Sequence, residues 1–215
     1  MDKRYFNNSA FPHVDEYLMK VLPKRDPVLM EMEAYALKRA FPFIGPLVGE
    51  FLGILARAIR AKTCFELGSG YGFSALHLAR ALPPDGKVVC TDGDEENARL
   101  AKEFFEKAGL LSKLEFRVGD ASTILREYPG PFDIMLMDID KEGYPDAYEE
   151  AWPKVAVGGL FIADNLLRDG RVWEDNRERA TVAIRRFTKM LYALPDGKTS
   201  ILPLRDGVSV TMKLQ

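Results

Sequence analysis

TCFELGSGYGFSALHLA, residues 63–79, joins a short apolar run to a glycine-rich turn and then to an apolar segment with helical spacing. That succession reads as strand, tight turn and helix. The same alternation continues downstream: KVVCT then residues 94–108, LEFRV then 121–127, FDIMLMD then 144–152, and GLFIAD then 177–193. Apolar strands alternating with helices predict a parallel sheet covered on both faces. Upstream, residues 13–21, 26–40 and 46–60 repeat apolar positions at helical spacing, and Asp26-Pro27 offers an N-cap followed by proline at the first helical position. The chain closes on TSILPL, Arg205-Asp206-Gly207 and VSVTMKL, a β-hairpin expected to pair antiparallel at the sheet edge. We therefore expect one α/β domain over residues 1–215, with a helical N-terminal extension at 1–61 and the sheet at 62–215.

The bulk composition excludes several classes. A chain of 215 residues suits one well-buried domain, and a formal net charge of −2 argues against a general nucleic-acid or anionic-membrane surface. Cys64 and Cys90 lie inside strand-like runs and read as buried free thiols, not a disulfide framework. MDKRYFNNSAF has no apolar core of a signal peptide, and PFIGPLVGEFLGILA, interrupted by Glu50, is too short to span a bilayer. A cytoplasmic protein without membrane contact is expected.

The glycine turn says what kind of ligand to look for. In open α/β sheets ligands collect at the carboxyl ends of the strands. Gly68, Gly70 and Gly72 permit close approach of backbone to ligand, but the dinucleotide fingerprint wants its third glycine where this chain has Phe73. A GxGxG turn preceded by the acidic Glu66 fits a nucleoside without phosphates, which points to S-adenosylmethionine. Asp92 ends the second strand, about where a carboxylate meets ribose hydroxyls, and VGDA sets Asp120 and Ala121 at the third strand end, beside an adenine.

Two further strand ends are acidic. MDIDKEGY, residues 137–144, delivers Asp138, Asp140 and Lys141, and FIADN, residues 161–165, delivers Asp164 and Asn165. Alone, Asp164-Asn165 reads as a strand-ending turn and Lys141 as a surface lysine. On neighbouring strands, two carboxylates and an amide oxygen make a hard donor set that suits Mg2+.

With these segments in place the sequence resembles a known family. FELGSGYGFSALHLARAL, GDAS, LMDIDKEGY, ADNLLRDGRV and LPLRDGVSV look like the cation-dependent O-methyltransferases, which include catechol and caffeoyl-coenzyme A O-methyltransferases. The resemblance implies a Rossmann-like class I methyltransferase fold with a seven-stranded, mostly parallel sheet. It implies a metal (Mg2+, or Ca2+ or Mn2+) on Asp138, Asp164 and Asn165, and Lys141 as the catalytic residue near the reacting hydroxyl. S-adenosylmethionine would contact Glu66 and Gly68, with Ser74 on its methionine carboxylate and Asp140 at its methionine end. Asp92 would take the ribose, Asp120 and Ala121 the adenine side, and Ile44 would cover the cofactor. A homodimer is also implied.

The acceptor is less clearly written. A small phenolic molecule is expected, with a tRNA hydroxyuridine as the alternative. A non-catalytic S-adenosylmethionine-binding protein would be expected to lose a ligand or the lysine, and this chain keeps all four. Where relatives often read D-N-x-L-W, this chain reads D-N-L-L-R, with Arg168 in the aromatic position. A cation there can meet an acidic acceptor or a phosphate, or pair with Asp169. Arg168, Arg171, Arg177, Arg179, Arg185, Arg186 and Lys189 could form a phosphate-binding patch. Because Asp169, Glu174, Asp175 and Glu178 are interleaved, a solvated helix face is the preferred reading.

Overall fold

The computed structural model describes residues 12–215, so the N-terminal segment from which the absence of a leader was expected lies outside the described residues. Three helices come first: α1 (Pro12–Val21), α2 (Pro27–Arg39) and α3 (Gly45–Ala58). The Asp26 carboxylate accepts from the amides of Val28 (2.9 Å) and Leu29 (3.1 Å), so it caps α2 with Pro27 behind it, as the sequence predicts.

Then the alternation begins: β1 (Thr63–Leu67), α4 (Phe73–Ala81), β2 (Lys87–Asp92), α5 (Glu95–Lys107), β3 (Leu114–Val118), α6 (Ala121–Arg126), β4 (Phe132–Met137), α7 (Tyr144–Ala151), β5 (Val155–Ala163) and α8 (Arg179–Tyr192). The closing pair is β6 (Gly197–Leu202) and β7 (Val208–Lys213).

The seven strands form one sheet in the order β3-β2-β1-β4-β5-β7-β6. The first five pair in parallel, whereas β7 is antiparallel to both β5 and β6. The chain builds outward from β1 to β3 and then returns to lay β4 on the other side of β1. That reversal opens a crevice at the carboxyl ends of β1 and β4.

Strand β5 is longer than the apolar run GLFIAD implies. Its first residues include Val157 and Gly158, which are exposed, so the apolar signal begins only at Gly159. The pairing with β4 shifts from Phe132↔Val155 to Ile134↔Leu160, which absorbs the extra residues.

Each face of the sheet carries its own core. On one, Leu52, Leu76, Leu78 and Phe105 pack with Leu29, Met32 and Ala36, so α2 and α3 share a core with the sheet. On the other, Phe65, Met135 and Phe161 pack with Tyr148, Phe187 and Leu191 of α7 and α8. Cys64 and Cys90 are buried and free. Among the described residues no helix is long and apolar enough to cross a membrane.

Candidate active site

The crevice at the switch point is a cavity of about 1390 Å³. A single drug-sized ligand occupies a pocket of ~300–1,000 Å³, so this one has room for a cofactor and an acceptor side by side. Of the sequence-predicted site residues, Ile44, Gly68, Ser74, Asp92, Asp120, Ala121, Asp138, Asp140, Lys141, Asp164 and Asn165 line it, and Glu66 does not.

The floor of the cavity is the glycine turn. Gly68 has φ +83°, and a Cβ there would meet the Asp138 carbonyl oxygen at 2.4 Å, so only glycine lets the ends of β1 and β4 approach. The Asp138 amide donates to the Leu67 carbonyl at 2.9 Å across that junction. Asp92 holds the turn from the β2 side: its carboxylate accepts from the Gly70 amide (3.0 Å), the Asp94 amide (2.9 Å) and the Asn97 side chain (3.0 Å). Asp120 caps α6 by accepting from the Thr123 amide at 2.8 Å, and Thr123 holds its carboxyl below the usual range. Phe41, Pro42 and Phe43 join Ile44 over the turn, and the Arg205 guanidinium donates to the Phe43 carbonyl at 2.8 Å.

Glu66 sits behind the wall, fully buried, where its carboxylate accepts hydrogen bonds from the Ser74 hydroxyl and, at 3.8 Å, from the Cys90 thiol. Ser74 lines the cavity with its hydroxyl turned to Glu66, which lies behind it.

At the other end, Asp138, Asp164 and Asn165 come together as their strand positions imply. Asp164 is buried, and its Oδ1 has no hydrogen-bond partner. Burial and then the neighbouring Asp138 carboxylate push its pKa well above the ordinary range. The Asp138 carboxylate accepts from the Lys141 ammonium. Asn165, at φ +63°, donates its amide nitrogen to Asp206 at 3.2 Å, which leaves its oxygen as the atom able to ligate. The donor set is thus two carboxylates and an amide; among the described residues no cluster of three or more His, Cys, Asp or Glu side chains is suited to a metal. A buried carboxylate oxygen without a donor, beside a second carboxylate, fits a hard cation.

The chain matches the family profile described as O-methyltransferase over residues 24–214. It belongs to the O-methyltransferase family.

It is 36% identical over 194 residues to the catechol O-methyltransferase of Niastella koreensis, covering 87% of this chain and 88% of that protein. It is 31% identical to the caffeoyl-CoA O-methyltransferase of Petroselinum crispum, covering 93% of this chain and 90% of that protein. Among solved structures, the O-methyltransferase TomG from Streptomyces achromogenes, in complex with S-adenosylmethionine, superimposes with a TM-score of 0.86 at 27% identity, each chain covered in full at 100%. An O-methyltransferase from Bacillus cereus in complex with S-adenosylhomocysteine gives 0.85 at 28% identity, covering 96% of this chain and 99% of that one. The protein is an S-adenosylmethionine-dependent O-methyltransferase.

Three residues of the O-methyltransferase site were not singled out from sequence for the parts they play. Tyr144 begins α7; its buried hydroxyl contacts the carbonyls of both Met137 (3.2 Å) and Asp164 (3.0 Å), which ties together the ends of β4 and β5. Asp206 was read as a hairpin turn; it holds Asn165 and accepts from the Asp169 amide at 2.6 Å, and burial pushes its pKa up to about 6. Arg205, beside it, lowers the pKa of Asp164 and donates to the Phe43 carbonyl over the glycine turn. The only sequence signal for either was the closing LPLRDGVSV.

Glu66 carries a stability prediction. Burial raises its pKa from the ordinary 4.5 to about 7 in the folded protein. The native state therefore holds a proton that the unfolded state releases. The associated stability is present below about pH 4.5 and is lost as pH rises to about 7, by up to about 3 kcal/mol. Glu66→Gln should flatten the fall in melting temperature between pH 5 and 8; an unaltered slope would remove Glu66 as its source.

Proposed function

We propose that the enzyme transfers the methyl group of S-adenosylmethionine to one hydroxyl of a small ortho-dihydroxy aromatic acceptor, with a hard divalent cation, Mg2+ by donor chemistry, on Asp138, Asp164 and Asn165. The observation that carries this reading is the unpartnered, buried Asp164 Oδ1 beside Asp138, on the same cavity as Lys141 and the glycine turn.

Methyl transfer from a sulfonium is an in-line displacement, so the protein must present the acceptor oxygen opposite the leaving sulfur. The glycine turn, Asp92 and the Phe41–Ile44 segment would hold the cofactor, and the ends of β4 and β5 would hold the acceptor. A bound cation supplies charge that lowers the pKa of the hydroxyl to be methylated. Lys141 stands where it can take that proton or steady the phenolate as it forms. Fixing both reactants in one cavity supplies much of the rate, with effective molarities that reach ~10^5 M.

The basic residues between 168 and 189 support a small acceptor over tRNA. Arg171, Arg177 and Arg186 are paired with Asp169, Asp175 and Glu149 at 3.7, 3.6 and 3.8 Å. Arg185 donates to the carbonyls of Arg171, Val172, Glu174 and Asn176. These carboxylates interleave with the cations and lower the net positive charge offered to a phosphate backbone. A homodimer paired through the N-terminal helices belongs to the same proposal, supported by the exposed Val14, Tyr17 and Val21 of α1. So does a reducing, cytoplasmic setting, supported by the free thiols.

The test is a transfer assay with labelled S-adenosylmethionine, offering a catechol panel and total tRNA, each with Mg2+ and with chelator. Chelator-sensitive labelling of catechols is expected. Labelling of tRNA alone, or of catechols at full rate in chelator, would overturn the reading.

A further inference from the structure

Arg168 is a cavity residue whose guanidinium is only loosely held. It lines the same space as Asp164, Asn165 and Lys141. Its Nε is buried with no hydrogen-bond partner, and its ion pair, from Nη2 to Glu178, is a long 3.9 Å. A buried donor of this kind asks for an acceptor. Of the partners open to Arg168 from sequence, Asp169 is turned to Arg171 instead, at 3.7 Å.

The backbone that presents Arg168 is held deliberately. Arg168 (φ +50°), Asp169 (φ +53°) and Gly170 (φ +90°) are three successive left-handed residues, a run that non-glycine residues avoid. Asp206 keeps them there: its carboxylate accepts from the Asp169 amide at 2.6 Å, and its carbonyl from the Leu167 amide at 2.8 Å. The same aspartate orients Asn165. One turn thus sets both the donor for a cation and the arginine four residues from Asp164.

We propose that Arg168 makes the acceptor side of the cavity selective for a dihydroxylated aromatic that carries a carboxylate. The inference rests on the ortho-dihydroxy reading above and names the acceptor more closely. A planar guanidinium that lines the cavity and is held only by a long 3.9 Å pair to Glu178 can offer its remaining Nη–H donors to the oxygens of a carboxylate. A dianionic phosphate fits less well, because Glu178 and Asp206 already lie near this guanidinium and would repel a second negative charge.

The experiment compares kcat/KM for 3,4-dihydroxybenzoate, its uncharged methyl ester and 3,4-dihydroxyphenylphosphonate, with the full chain, S-adenosylmethionine and Mg2+. The acid should exceed the ester by about tenfold or more, chiefly through KM, and should exceed the phosphonate. Arg168→Met should bring the acid-to-ester ratio close to one, and Arg168→Lys should keep part of it. Glu178 is exposed, and its side chain makes no capping hydrogen bond to α8. Glu178→Gln therefore tests the idea without touching the fold, and should raise the ratio by releasing the guanidinium. Equal use of acid and ester by the wild type, an unchanged ratio in Arg168→Met, or preference for the phosphonate would overturn the role of Arg168 and leave the dihydroxy reading standing. No transfer to any of the three compounds would sink both.

Discussion

Asp164→Ala should lower Mg2+-supported turnover by about three orders of magnitude while S-adenosylmethionine still binds, because a metal supplies several kcal/mol of charge stabilisation at the transition state. Asp164 follows β5 at one end of the cavity, whereas the glycine turn, proposed to hold the cofactor, is built at the ends of β1 and β2. Removing its side chain leaves the hydrogen bonds of Gly70 and Ser69 to the end of β2 untouched. Two readouts separate this outcome from simple damage. Wild-type melting temperature should rise with Mg2+ as binding stabilises the native state, and the variant should show no such rise. Asp164→Asn, which keeps the shape, should melt no lower than wild type in chelator, since burial and Asp138 both penalise the charged carboxylate. Full activity of Asp164→Ala in chelator would end the metal hypothesis.

How far the sequence carries can be judged from these residues. The central parallel strands β1, β2 and β4 are legible because they are mostly buried and read as largely apolar runs, whereas β3, at the sheet edge, carries Glu115 and Arg117. The start of β5 is not legible, since Val157 and Gly158 face solvent and break the pattern. The hairpin signal gives antiparallel pairing at the sheet edge but not that β7 is the strand that lies against β5, and the adjacency of β4 and β5 brings the strand ends of Asp138, Asp164 and Asn165 together. Side-chain direction is a different matter. Glu66 and Leu67 are adjacent on β1, and pleating alternates the two faces, yet nothing local says that Glu66 faces Ser74 and Cys90 instead of the cavity. Tyr144 and Asp206 escaped for the same reason. Their partners lie 7 and 20, or 41 and 37, positions away, and depend on how the strand ends dock.

Lys141 is the second residue with a large expected effect. Its ammonium has three donors. One goes to the Asp138 carboxylate and one to the Ile139 carbonyl at 3.1 Å, and the nitrogen stands 5.1 Å from the centre of the Tyr144 ring. Two anchors and an aromatic face fix the nitrogen on the cavity wall and leave one donor for an acceptor oxygen. Lys141→Ala should therefore lower kcat by about 10^2- to 10^4-fold, the range for a positioned acid–base or charge-stabilising group, with the dissociation constant of S-adenosylmethionine changed little. Lys141→Arg then divides the two roles. A guanidinium keeps the charge but does not give up its proton at working pH. If Lys141 takes the hydroxyl proton, the arginine variant should be as impaired as the alanine one; if it steadies the phenolate, arginine should recover a substantial part of kcat. An alanine variant with unchanged kcat would remove the lysine from the reaction altogether, and the cation would then have to lower the hydroxyl pKa far enough for water to accept the proton.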